Sequence, residues 1–242
     1  MTVTDVVIGK QIYEGKAKKI FETSDPQVLA TRFKDDATAF NAQKRGTIDG
    51  KGVINNAISK TLFELLTQNH IPNHFIALPD PDTMLVKKVS IVPIEVVVRN
   101  IAAGSMAKSM GIEEGLVLNQ PVIDLYYKDD ALGDPYISES RITALGYCSQ
   151  QDLETIKTLT LKINSILKPF FESIGILLVD FKLEFGKTSA GQIILADEIS
   201  PDTCRFWDAQ TKEKLDKDRF RRDLGNVAEA YQEMFKRITS KK

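Results

Sequence analysis

The chain reads as an α+β fold in which antiparallel sheets are flanked by long helices. Two stretches, about 53–68 and 149–174, carry apolar residues at helical spacing over several turns. Short β-rich runs come in neighbouring pairs separated by Gly, Pro or Asp turn signals, the pattern of antiparallel hairpins. Long helices beside such hairpins imply helix layers packed on sheet.

The first 40 residues predict strands at Gln11–Tyr13, Lys18–Phe21 and Val28–Phe33, separated by Glu14-Gly15-Lys16 and Ser24-Asp25-Pro26. The polar segment 35–52, with Gly46, Gly50 and Gly52, predicts a mobile loop. A helix follows over 53–68, with Ile54, Ile58, Leu62, Leu65 and Leu66 on one face. Strands are predicted at 83–88 and 94–99. Pro93 breaks pairing between them, which makes 89–93 a candidate hinge and sets domains of 1–90 and 91–242. A short helix over 106–110 stops at Gly111. A strand at 122–127 precedes a loop through Asp134-Pro135.

Ser149-Gln150-Gln151-Asp152 resembles a capping box opening the helix that runs to about Ile174 before Gly175. Its predicted core face is Leu153, Ile156, Leu159, Ile163, Leu167, Phe170 and Ile174. Strands at 176–185 and 192–199 flank the loop 186–191. One final amphipathic helix carries Phe220, Leu224, Val227, Tyr231, Met234 and Ile238.

Composition excludes several classes of function. The 242 residues hold 32 Lys+Arg against 33 Asp+Glu, a formal net charge of -1, so no broad polyanion partner is indicated. Cys148 and Cys204 are far apart and lack His or Cys at metal-ligand spacing, which argues against a disulfide framework or a structural zinc site. The start, Met1 to Asp5, lacks the basic and apolar regions of a secretory leader, and the apolar runs are too short to span a bilayer. A reduced cytoplasmic compartment is the expectation. Any charge-based function must therefore be local.

The densest chemical pattern is Val179-Asp180-Phe181-Lys182-Leu183-Glu184-Phe185. Strand alternation puts Asp180, Lys182 and Glu184 on one face and the four apolar residues on the other. If the loop 186–191 sets Phe185 opposite Gln192, Asp180 lies opposite Asp197 and three carboxylates crowd one lysine. Such crowding is costly without a cation or ionic ligand. Hard oxygen donors suit Mg²⁺ together with nucleotide phosphates. A solvated face with Lys182 bridging its acidic neighbours is the plainer alternative.

Three further segments could bind anions. The turn Glu14-Gly15-Lys16-Ala17-Lys18-Lys19 combines a glycine that allows close backbone approach with lysine charge, although an exposed hairpin carries lysines for no special reason. In Val97-Val98-Arg99-Asn100-Ile101-Ala102-Ala103-Gly104-Ser105, Ser105 is the predicted N-cap of the short helix, and Arg99 can grip phosphate or carboxylate bidentately. In Asp197-Glu198-Ile199-Ser200-Pro201-Asp202-Thr203-Cys204-Arg205, the Pro-Asp turn ends a strand and Arg205 projects from a loop, free to pair with Asp202 or Asp208. His70 and His74 flank a Pro turn and read as structural, and nothing marks Cys204 as a reactive thiol.

Together these segments closely resemble the SAICAR synthetase family, from about Gln11 to the last helix. The most specific matches are Val97-Val98-Arg99-Asn100 with Ala103-Gly104-Ser105, and Leu178 to Gly186. The resemblance implies an α+β, two-domain, ATP-grasp-like architecture of antiparallel sheets and flanking helices, with ATP between the domains. It implies an ATP-dependent carbon–nitrogen ligase of purine biosynthesis that joins L-aspartate to a carboxylated aminoimidazole ribonucleotide. By the same resemblance Lys16 and Lys18 contact ATP phosphates, and Glu184 and Asp197 help hold Mg²⁺. Arg99, Ser105 and Arg205 bind the ribonucleotide phosphate, Lys182 lies near the imidazole carboxylate, and Lys128 and Asp134 sit near the site. Lys182, Glu184 and Asp197 form the catalytic set, with Lys128 on the ATP side. Small molecules are the implied partners, with neither nucleic acid nor membrane, and a homodimer is compatible with the family. A small-molecule kinase and a non-enzymatic nucleotide sensor are the rival readings.

Overall fold

The computed structural model describes residues 6–39 and 43–240. The first residues, read above as lacking a leader, lie outside this range, as do 40–42 of the predicted loop. Strands β1 (Ile8–Glu14), β2 (Lys18–Thr23) and β3 (Val28–Phe33) pair antiparallel in sequence order. Next, β4 (Asp36–Ala39) pairs with β5 (Lys44–Thr47), and α1 spans Lys51–Gln68. Strands β6 (Phe75–Asp80) and β7 (Thr83–Lys87) complete the first sheet in the order β1-β2-β3-β7-β6. The chain leaves it through residues 88–89.

The second sheet begins with β8 (Ser90–Ile101), followed by α2 (Gly104–Met110), β9 (Val117–Tyr127) and α3 (Glu139–Ala144). Then come α4 (Gln150–Ser173), β10 (Ile176–Lys187), β11 (Ile193–Ala196), β12 (Cys204–Asp208), α5 (Asp218–Arg221) and α6 (Val227–Thr239). The sheet order is β11-β10-β8-β9, and β12 also pairs with β10. One edge of β10 thus serves two partners, β12 along Ile176–Phe181 and β11 along Glu184–Lys187. The change of partner falls at Lys182, whose N–H donates to the Thr203 carbonyl at 2.8 Å.

The core is continuous across both sheets, from Phe33, Ile58 and Leu62 through Val96, Phe181 and Phe185 to Tyr231 and Met234. Helix α4 covers the second sheet and starts as its sequence indicates, with the Ser149 hydroxyl accepting the Asp152 N–H at 3.1 Å. Of its predicted core face, Leu153, Ile156, Ile163 and Leu167 are fully buried. Leu159, Phe170 and Ile174 are only partly so, and Phe171 takes the inner place beside Phe206.

Several expectations are corrected. Segment 35–52 holds β4, β5 and the start of α1. Asp35 organises it by accepting from the N–H groups of Gly50 and Gly52 at 3.1 and 2.8 Å. Pro93 does not interrupt pairing, because it lies in β8 between Ile91 and Glu95, where a bulge against β10 absorbs its missing N–H. Its carbonyl still accepts from Lys128 at 3.0 Å. The final helix is two, α5 and α6, separated where Asp223, Gly225 and Asn226 take positive φ. Helix α3 and strand β12 lie where loops were expected.

The β10–β11 register also differs: Phe185 faces Leu195 rather than Gln192. A shift of three residues would carry Asp197 to the opposite face, but β11 stops at Ala196. Asp197 adopts φ 59, which turns it out of the ladder. A second bulge, between Leu178 and Asp180, resets the alternation of β10. Phe181, Leu183 and Phe185 therefore share the main core, whereas Val179 packs with Ile101, Ala103 and Trp207.

Candidate active site

A cavity of about 610 Å³ opens between the two sheets. Ile20 and Leu29 from the first sheet, with Val86, Val89 and Ile91 near the crossing, form an apolar end suited to a flat ring. The β1–β2 turn contributes Gly15, Lys16, Ala17 and Lys18, and the polar end is closed by Lys128, Lys182, Glu184 and Asp197. A second cavity of about 380 Å³ adjoins it, lined by Arg99, Ser105, Tyr126, Asp180 and Arg205. Glu95, Asp134, Lys182, Asp202 and Thr203 line both.

At the polar end the charges alternate. Lys182 Nζ lies 2.7 Å from Glu95, 2.6 Å from Glu184 and 3.8 Å from Asp197. Lys128 reaches the same Glu184 Oε1 at 2.9 Å. Lys18 bonds Asp197 and lies 3.0 Å from Glu198, while Lys16, at the half-exposed mouth, pairs with Asp130 at 2.7 Å. Burial opposes the charge on Lys18, yet Asp197 and Glu198 outweigh it and raise its pKa above the usual lysine value. Burial likewise opposes charge on Lys182, but Glu184, Asp197 and Glu95 hold it firmly protonated. Asp197 is the mirror case: burial favours the neutral acid, but Lys18 and Lys182 pull its pKa well below the carboxylate range. Lys18, Lys182 and Asp197 are thus charged at neutral pH and prepared for charged ligands.

His74 braces this patch from behind, with Nε2 3.1 Å from the Asp197 carbonyl, as its structural reading implied. Since a carbonyl only accepts, Nε2 carries the proton. Burial, followed by the nearby Lys18, lowers the His74 pKa to about 4.

The second cavity is built around two arginines. Arg99 donates to Asp124 at 2.6 Å, Asp180 at 3.0 Å and the Tyr126 hydroxyl at 3.0 Å. Arg205 donates to Asp180 at 2.8 and 2.9 Å and to Asp218 at 3.0 Å. Asp180 bridges the two guanidiniums and fixes their spacing. Arg205 belongs to β12, directly opposite Asp180 on β10, so its partners are Asp180 and Asp218 rather than Asp202 or Asp208. Ser105 does not cap α2; Ala103 holds that position, and the Ser105 hydroxyl instead accepts from Arg99 at 3.4 Å.

The residues singled out in the sequence converge on these two cavities: Lys16, Lys18, Lys128, Glu184 and Asp197 on the larger, Arg99, Ser105 and Arg205 on the smaller, and Lys182 on both. Asp180 shares a face of β10 with Lys182 and Glu184, as the alternation predicts, but four residues back along the strand it meets the arginines rather than Asp197. Sequence reasoning missed Glu95, though it precedes Val97 and Arg99 at strand spacing and the period-2 rule would have found it. It also missed the buried group in which Asp202 accepts from Lys51 at 2.9 Å and from the Tyr231 hydroxyl at 2.6 Å. Those partners come from three distant segments, and no local pattern announces them.

Known proteins share this fold. The SAICAR synthetase family model matches residues 11–238. The phosphoribosylaminoimidazole-succinocarboxamide synthase of Desulfitobacterium hafniense is 57% identical over 230 residues, covering 95% of this chain and 96% of that relative. The solved structure of the enzyme of that name from Ehrlichia chaffeensis superposes with a TM-score of 0.93 at 49% identity, covering 95% of this chain and 98% of that one. A SAICAR synthetase solved in complex with ADP gives a TM-score of 0.92 at 49% identity, covering 96% and 99%. On this likeness, spanning nearly the whole of both partners, the chain belongs to the SAICAR synthetase family.

Proposed function

We infer that this protein is an ATP-dependent ligase that joins L-aspartate to the carboxylate of a 5-aminoimidazole ribonucleotide, releasing SAICAR, ADP and phosphate in purine biosynthesis. The observation that carries the reading is a lysine-rich, ring-accepting cavity and an arginine-lined cavity that meet at Lys182. ATP occupies the larger cavity, between the units 1–90 and 91–242, with its phosphates toward Lys16, Lys18 and Lys128. Arg99, Ser105 and Arg205 take the ribonucleotide phosphate, leaving the imidazole carboxylate toward Lys182.

A carboxylate resists attack by an amine because its charge repels nucleophiles and oxide is a poor leaving group. Attack of its oxygen on the γ-phosphorus of ATP expels ADP and gives an acyl phosphate. The aspartate amine then attacks the acyl carbon, phosphate departs and the nitrogen loses a proton. The protein's task is to align these anions and neutralise them, and the lysines and arginines of the cleft are held in place for it by paired carboxylates.

The family implies Mg²⁺. No group of three or more Asp, Glu, His or Cys suited to a metal occurs among the described residues, so a cage made of protein alone does not fit. Glu184 and Asp197, both within 3.8 Å of Lys182 Nζ, do fit the one or two hard carboxylates that suffice when phosphates supply further oxygens. Bound there, the ion would neutralise phosphate charge. The reading places the enzyme in the cytoplasm, and no described helix is long and apolar enough to cross a membrane.

The test is ADP release with the carboxylated ribonucleotide, with and without L-aspartate. Release that requires aspartate supports the ligase. Fast aspartate-independent release would mean a small-molecule kinase, and ATP binding without release would mean a nucleotide sensor.

A further inference from the structure

Every other lysine and arginine lining the two cavities has a carboxylate or carbonyl oxygen within 3.1 Å. Lys217 does not. Its Nζ lies 3.6 Å from Asp202 Oδ2, and this ammonium makes no side-chain hydrogen bond among the described residues although the side chain is only 12% exposed. That same Asp202 oxygen is already taken by Lys51 at 2.9 Å, and the other oxygen by Tyr231. One carboxylate thus faces two buried ammonium groups, leaving a surplus positive charge at the cavity wall. Arg221, one turn further along, is committed to Asp218 at 2.6 Å. A buried, under-compensated cation on a cavity wall is a site for an anionic group.

The position narrows what that group is. Lys217 lines the larger cavity, and its neighbours Asp202 and Thr203 line both cavities. It therefore stands near the junction where the transferred phosphoryl group and the ribonucleotide carboxylate must meet. On the proposed function, the phosphates of both nucleotides already have cations, in the β1–β2 turn and in the Arg99–Arg205 pair. The remaining substrate is an amine carrying two carboxylates, and its amine must reach that junction.

We propose that Lys217 binds a carboxylate of the amino-acid substrate and so places the attacking amine. This rests on the ligase reading. Asp202, Glu198, Lys51 and Arg221 are the charged groups acting on Lys217. A bound carboxylate would complete its shell.

The experiment is steady-state kinetics of Lys217→Met, Lys217→Gln and Lys217→Arg, varying each substrate in turn, with Tm and ADP affinity measured to establish folding. The neutral variants should raise the KM for L-aspartate about 10- to 100-fold while leaving those for ATP and the ribonucleotide within about threefold. Lys217→Arg should recover part of the loss. A rise in the KM for ATP, or an unchanged aspartate KM in either folded neutral variant, overturns the proposal. Wild-type ADP release that ignores aspartate would instead overturn the ligase reading, so the two failures are distinct.

Discussion

Gly104→Ala tests the arginine cavity at its tightest point. Gly104 opens α2 with φ +56, and a Cβ there would lie 2.5 Å from Arg205 Nη2 and 2.8 Å from its Cζ. Ordinary contact begins near 3.4 Å, so the guanidinium must retreat by roughly 0.9 Å. It is not free to do so, being bonded to Asp180 at 2.8 Å and Asp218 at 3.0 Å, and such a retreat along either bond would take it beyond hydrogen-bond reach. The left-handed backbone costs an alanine about 1–2 kcal/mol, and a lost charge-assisted bond adds about 1.5–3 kcal/mol. Together they should lower Tm by at least about 5 °C in a chain of this size. Displacing Arg205 should also raise the KM for the ribonucleotide and leave that for ATP unchanged. Gly111→Ala is the control, since Gly111 has φ +63 but nothing within 4 Å of its missing Cβ. It should cost only the backbone strain and leave both KM values alone. The reasoning fails if Gly104→Ala and Gly111→Ala lose equal stability and bind the ribonucleotide equally well.

Glu184→Gln should lower kcat severely and raise the Mg²⁺ concentration needed for half-maximal rate; wild-type kcat at limiting Mg²⁺ would remove Glu184 from the metal assignment. Arg99→Ala should raise the ribonucleotide KM by about 10- to 100-fold, and a raised ATP KM in its place would reverse the assignment of the two cavities. Asp202→Asn should destabilise the fold by about 3 kcal/mol or more, because it strands the buried Lys51 ammonium. Adding Lys51→Met should recover part of that loss, as measured by urea unfolding. The pKa of His74, about 4 when folded, lies below its ordinary value of 6.5, so the unfolded chain binds more protons between these limits. Its contribution to stability is complete above about pH 6.5 and declines as pH falls toward 4. The stability difference between wild type and His74→Gln should shrink over that window, and a pH-independent difference would refute the buried neutral imidazole.

The elements with strong local signals were readable one by one. Helix α4 could be predicted from Ser149 and the Leu153–Leu167 spacing, because a cap and a 3.6-residue period are local properties of the chain. Strand β12 was not readable: Cys204–Asp208 follows a Pro-Asp turn, and it becomes a strand by lying along the part of β10 that β11 leaves open. The site shows the same division. Lys16, Lys182 and Glu184 stand in compact charged motifs, and the family resemblance gave them roles. Lys51, Asp202 and Lys217 stand in no motif, and their meaning comes from a shared carboxylate between segments 151 residues apart.

The α+β class, the major helices and the principal charged residues of the cleft followed from local periodicity, turn chemistry and motif, which depend on neighbours a few positions away. Their grouping into two joined cavities did not, because it depends on register and on backbone exceptions that no period encodes. Side-chain direction inverts with each one-residue slip of a strand. Two bulges and the positive φ of Asp197 therefore decided that Asp197 faces Lys18 and Lys182 and that Asp180 locks Arg99 to Arg205.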